Sequence, residues 1–229
     1  RSLGLRVACH AETGARVAKI QTECQASGRN SVKDFLRAHA PKFEVEAIRA
    51  IIGLARRARS RVHVCHLSTY RGMREISSAR TTGIPVSCEV TPHHLLLDRK
   101  DLNRKGGVAV MVPPLRKPSD ARALWRSTLR GKVDVVASDH APHSLEEKSV
   151  GDVWKSRPGI PGLETTLPLL LTKASRGEIG LNGVVRVLAE NPARIFGLRK
   201  KGRLAAGMVG DVALIDPNER FRIDSSKFY

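Results

Sequence analysis

Short apolar runs and amphipathic stretches alternate over roughly the first 140 residues. Leu5-Arg6-Val7-Ala8-Cys9 is a strand-like run, and a helical pattern follows over Gly14–Ala26. Beyond a polar loop, Val45, Ile48, Ile51, Ile52 and Ala55 recur at three- and four-residue intervals, which predicts a helix over Glu44–Arg59. Arg61–Cys65 reads as the second strand and Tyr70–Arg80 as the helix after it. Ile84–Val90 supplies a third strand, ending in Thr91-Pro92-His93-His94. A loop and the apolar run Val108–Val112 then lead to Pro113-Pro114, where a strand cannot easily continue. The next helix is predicted over Ser119–Leu129, with Ser119 as its cap, and Val133–Ala137 as the strand that delivers Asp139. Such alternation is the signature of βα units and a parallel sheet, hence an α/β fold.

After this series the rhythm changes. Pro142 to Pro161 is long, polar and rich in Gly and Pro, the composition of a lid or a disordered tip at a sheet rim. Two helices are predicted over Leu163–Ser175 and Leu181–Ile195, the second with Asn191-Pro192 near its end. Gly202–Gly207 and Asp211–Asp216 read as a turn and a strand. This change from βα rhythm to β divides the chain into 1–200 and 201–229.

With 229 residues the chain can bury a substantial core. Its net charge of +18 would ordinarily suggest nucleic acid. The Lys and Arg residues are scattered, however, and aromatics for base stacking amount to 4%, so a solvated basic surface facing a small substrate is expected instead. The four cysteines, Cys9, Cys24, Cys65 and Cys88, lack CxxC spacing, and Cys9 and Cys65 look like small core residues. No apolar run is long enough to span a membrane. A soluble, cytoplasmic setting is expected.

In parallel α/β folds the carboxyl ends of strands point into the ligand crevice, so a polar residue just past an apolar run is a site candidate. His10, His66, His93, His94, Asp139 and His143 meet that criterion. Imidazole and carboxylate suit zinc, which would make water acidic enough to supply hydroxide near neutral pH. Asp139 would then be a metal ligand, a proton carrier, or both.

Five segments in order resemble the motifs of dihydroorotases, cyclic amidohydrolases of the (β/α)8 barrel superfamily. They are Cys9-His10-Ala11-Glu12, Val62 to Thr69, Cys88 to Leu95, Ala137 to His143 with Glu146-Glu147-Lys148, and Pro161 to Thr165. The Ser-Asp-His-Ala-Pro-His and Pro-His-His-Leu forms favour dihydroorotase over allantoinase or hydantoinase. The resemblance implies a chain corresponding to about strands 5 to 8 of a TIM-type barrel, with a short return into a flanking β domain. It implies that His10 and His66 bind one of two zinc ions, and that Asp139 binds the other and shuttles the proton. His143 would face the substrate carboxylate, and the backbone around Pro161 and Gly162 would hold the ring of dihydroorotate or N-carbamoyl-L-aspartate, the compounds interconverted in de novo pyrimidine biosynthesis.

The sequence departs from that family in two places. No His-x-His pair precedes His10, so part of the metal set is absent from this chain. Val112 stands where the family usually carries a substrate-contacting polar residue, before Pro113-Pro114-Leu115-Arg116. Glu12 is expected to orient His10 from a second layer, and His63 to be structural. His93 and His94 either support the site or close a turn. Arg116 either meets a substrate carboxylate or pins a loop. An allantoinase- or hydantoinase-type hydrolase and a catalytically inactive, dihydroorotase-like interaction subunit are the alternatives. An open half-barrel would leave strand edges uncovered, favouring a homo-oligomer, a complementary half or a pyrimidine-pathway partner.

Overall fold

The computed structural model describes residues 5–148, 151–224, 226 and 228. Four parallel strands in the order β1 (Arg6–Cys9), β2 (Arg61–Val64), β3 (Val86–Val90) and β4 (Val135–Val136) form the sheet. Arg6 is in register with Arg61, Val62 with Val86, and Glu89 with Val135. Each strand follows its sequence neighbour through a helical crossover, as the alternation predicts.

Between β1 and β2 lie α1 (Gly14–Ala26), α2 (Val32–Ala38) and α3 (Pro41–Ala58). The segment read from the sequence as a polar loop contains α2, which Ser31 and Asp34 start with a reciprocal capping box. Helix α3 begins at Pro41 rather than Glu44, because proline fits the first turn, where its missing N–H costs nothing. Helix α4 (Tyr70–Thr81) follows β2, capped by Thr69. After β3 come α5 (Pro92–Leu96), α6 (Arg99–Lys105) and a 3-10 turn over Gly106–Ala109, where the sequence suggested a loop and an apolar run. Their starts are marked by Thr91-Pro92 and by the Asp98/Asp101 capping box, signals of local chemistry rather than apolar periodicity. Helix α7 (Pro118–Leu129) is entered through Lys117 and Pro118, so Ser119 lies inside it instead of capping it.

Two apolar clusters hold these layers together. One packs Ile48, Val64, Leu67, Met73, Ile76, Val90 and Leu124 between the sheet and its helices. The other gathers Phe35, Leu102, Val110, Met111, Leu115 and Val153 on the carboxyl side, with Trp154 and Ile160 against it. Most of its members come from α2, from α6 and the turn after it, and from the long segment 142–161. Its described residues 153–160 are therefore packed, and residues 149–150 of the expected lid or tip lie outside the described residues: Trp154 Nε1 donates to Arg29 C=O at 2.8 Å, Ser156 Oγ to Gly107 C=O at 2.7 Å, and Val153 N to Asn30 C=O at 3.1 Å.

Lys148 is the strongest clamp on this segment. Its ammonium donates to the carbonyls of Val110, Arg157 and Gly159, each at 2.8 Å, and burial pushes its pKa down to about 8. The chain then returns beside β4 through the parallel bridge His140–Ile160 and enters α8 (Leu163–Ser175). Helix α9 (Leu181–Val185), a π turn and α10 (Asn191–Phe196) follow as one stretch, with Pro192 accommodated at the start of α10.

The run Asp211–Asp216 is not a strand: it pairs with no strand among the described residues, and Leu214 is 95% exposed. Strands form where an edge offers hydrogen-bond partners, and no described element offers one there. The outer edge of β1 likewise has no partner strand among the described residues, and Val7 on it is 53% exposed. All four cysteines are free thiols; Cys24 and Cys88 are buried, whereas Cys9 and Cys65 are only half-buried. No helix of the described residues is long and apolar enough to cross a membrane.

Candidate functional site

The carboxyl ends of the strands bring His10 and His66 together. His10 Nδ1 lies 3.0 Å from His66 Nε2, with the rings edge to face. Two nitrogens of a tetrahedral zinc ion at ~2.0–2.1 Å would lie about 3.3 Å apart, so this pair fits two ligands of one ion. His66 has φ 32° and Asp139 φ 46°, and Arg59 is the only other non-glycine residue described with positive φ. Arg59 is the left-handed cap that ends α3. For His66 and Asp139 no helix end explains the conformation, and left-handed backbone outside glycine is a mark of functional positions.

The surroundings of His66 suit a neutral ligand. Burial lowers its pKa, and His10 adds to that. Its backbone N–H donates to Glu89 Oε1 at 3.4 Å, while Glu89 Oε2 lies 3.0 Å from His63 Nε2 and Ser87 Oγ lies 2.8 Å from His63 Nδ1. His63 is thus fully buried with both nitrogens engaged, the structural role expected of it. Glu89 was not singled out from sequence; its position at the end of β3, inside an apolar run, was the available signal.

Glu12 faces His10. Its Oε2 lies 3.6 Å from His10 Nε2 and accepts from His39 Nδ1 at 2.9 Å, with its side chain only 4% exposed. Burial alone would raise its pKa, but the facing His10 imidazole, the hydrogen bond to His39 and the nearby charges of His39 and Arg116 outweigh it and hold the carboxyl at about 2.

Arg116 lies beneath, 6% exposed. Its Nε donates to Ser68 Oγ at 2.9 Å and its Nη1 to His39 C=O. Ser68 donates through both N–H and Oγ to Glu44 Oε1, and Thr69 Oγ1 donates to Glu44 Oε2. Arg116 therefore bridges Ser68 and the His39 carbonyl. His94 is enclosed between Thr91 Oγ1 at 2.7 Å and Pro113 C=O at 3.0 Å, so it closes the turn after β3. His93 is buried with Nε2 unpartnered, and burial drives its pKa down to about 4.

The other limb is open. Asp139 is exposed beyond β4, and no group of three His, Cys, Asp or Glu side chains among the described residues is placed to hold an ion. The donors fit zinc at the His10–His66 pair, and Asp139 is not brought into that cluster. His143 Nε2 donates to Pro158 C=O at 3.2 Å and its Nδ1 lies 3.5 Å from Glu147, so its ring contacts its own loop. At Gly162 the N–H donates to His140 Nδ1 at 3.1 Å and the carbonyl accepts from Thr166 Oγ1 at 2.6 Å. A Cβ there would meet Ser138 C=O at 2.6 Å, so glycine is required by this close approach. Pro161 beside it is exposed. His140, unassigned from sequence, accepts from the N–H groups of Gly162 and Leu163 and so fixes the entry to α8.

The sequence profile of the Amidohydrolase family matches residues 2–228. The chain belongs to that family. Within it, the chain is 40% identical over 223 residues to a dihydroorotase of Methanothermobacter thermautotrophicus, covering 97% of this chain and 50% of that protein. An allantoinase of Escherichia coli K12 is 34% identical over 221 residues, covering 96% and 48%. The fold is similar to a D-hydantoinase (dihydropyrimidinase) from Thermus sp., with TM-score 0.87 and 27% identity over 91% of this chain and 47% of that one. This amidohydrolase chain thus spans about half the length of the relatives it matches.

Proposed function

We propose that this amidohydrolase chain is the carboxyl-terminal half of a cyclic amide hydrolase of the dihydroorotase type. Its four strands correspond in this reading to strands 5 to 8 of a (β/α)8 barrel, residues 1–200 forming the barrel part and 201–229 entering a small β domain. The observation that carries the reading is the convergence of His10 Nδ1 and His66 Nε2 at 3.0 Å on adjacent strand ends.

His10 and His66 would hold one zinc ion, and Asp139 a second. Zinc bound there supplies Lewis acidity, enough to generate hydroxide from water near neutral pH. The exposed carboxylate of Asp139 accepts the proton released as water attacks the ring carbonyl, and returns it to the leaving ring nitrogen. The same carboxylate serves ring closure in reverse. On the open limb, His143 turns from Pro158 to the substrate carboxylate, and the Pro161 backbone contacts the ring. Val112 offers no hydrogen bond, so the substrate preference extends to the allantoin- and hydantoin-like amides handled by the named relatives.

The test is ring opening of dihydroorotate, allantoin and hydantoin by the complete protein and by its Asp139→Asn variant. The expected result is turnover of dihydroorotate that falls at least a hundredfold in the variant; an unimpaired Asp139→Asn contradicts the proposal. The interaction-subunit reading is favoured by Val112 and by the absence, among the described residues, of a third ligand placed with the histidine pair, and it predicts neither turnover nor zinc binding.

A further inference from the structure

We propose that His39 is a positioning residue for His10, acting through Glu12. The inference rests on the reading of His10 as a metal ligand and adds to it a residue that no motif marks. His10 stands just past β1 with its side chain 46% exposed, so packing alone does not fix its ring. A ligand presents one nitrogen to the metal and uses the other to set its tautomer and orientation. Here Nδ1 faces His66 and Nε2 faces the Glu12 carboxylate, the arrangement that keeps a proton on Nε2 and a lone pair on Nδ1.

A glutamate is a flexible support unless it is held. His39 Nδ1, at 2.9 Å, is the tightest partner of Glu12 Oε2, closer than His10 at 3.6 Å. His39 is itself fixed, because it is the C-cap of α2, packs its ring at a tilt against Phe35 with centroids 4.5 Å apart, and has its carbonyl bound by Arg116 Nη1. Three segments distant in sequence therefore set one imidazole. Glu12 Oε1 and Arg116 Nη2 are both buried with no hydrogen-bond partner. Losing His39 leaves Glu12 free to turn toward that guanidinium and away from His10.

The test uses imidazole nitrogen NMR on the metal-free chain, followed by zinc titration, for the parent, His39→Ala and His39→Asn. Asparagine replaces the Nδ1–H donor with an amide N–H. The parent is expected to show His10 as the Nε2–H tautomer, His39→Ala a mixture, and His39→Asn a return to the parent state. Zinc affinity is expected to fall about 10–100-fold in His39→Ala and to recover in His39→Asn. A parent that shows this tautomer pattern but binds no zinc supports the positioning role and contradicts the metal reading instead. A His39→Ala variant that matches the parent in both His10 signals and zinc affinity overturns the proposal.

Discussion

Around the ends of β1 and β2, the side chains of Glu12, His39, Glu44, Ser68 and Arg116 are buried and joined by hydrogen bonds, beside the His10–His66 pair. Past β4, Asp139 is exposed and His143 is turned to Pro158 and Glu147 of its own loop. The contrast follows from solvent. A buried polar group must find a partner within the chain, and so its neighbours fix it. An exposed one is satisfied by water and stays free to turn to a substrate. The first limb is a prebuilt support and the second is the part that adapts.

The largest way to break this contrast is Arg116→Met. It leaves Glu44 and Glu12 as buried carboxylates without their cation and should cost about 3–5 kcal/mol, measured by denaturant unfolding. A loss near zero would mean that the network does not support the first limb.

On the open side, the strongest effect is expected at the loop's clamp. Lys148→Met removes the donor from three carbonyls and should cost about 2–3 kcal/mol. Its pH dependence has a definite sign. The folded pKa of about 8 lies below the ordinary 10.5, so the charged form is disfavoured by folding. That penalty is complete below pH 8 and is relieved as pH rises toward 10.5, where the unfolded chain binds more protons. Parent stability should therefore gain on that of Lys148→Met between pH 8 and 10.5; a parallel course would contradict the buried-cation account.

The smallest effect belongs to the residue central to turnover. Asp139→Asn, at an exposed position where asparagine tolerates left-handed backbone, should shift stability by under ~0.5 kcal/mol. A thermal melt beside the activity assay separates loss of chemistry from loss of fold.

The four strands and the placement of His10, His66 and Asp139 just beyond them were legible because a buried parallel strand is an apolar run with polar chemistry at its end. Helices α2, α5 and α6 escaped that pattern because they are five to seven residues long, too short to repeat an apolar stripe. Ser31/Asp34, Thr91-Pro92 and Asp98/Asp101 announce them through capping chemistry.

The supporting residues were harder to see. His39 and Glu12 are 27 positions apart, and Arg116 and Ser68 are 48 apart, so their relation exists only once the crossovers have folded. His143 and Gly162 were placed by motif, yet His143 is turned into its loop and the Gly162 N–H is occupied by His140. Asp211–Asp216 has the composition of a strand without a partner edge to make it one.

Equilibrium zinc titration of the parent, His66→Ala and His143→Ala tests the central claim most directly. The account predicts a zinc site in the parent, its loss in His66→Ala, and affinity within a few-fold of the parent in His143→Ala. No zinc binding by the parent, or an equal loss in His143→Ala, would contradict the assignment of the metal to the His10–His66 pair.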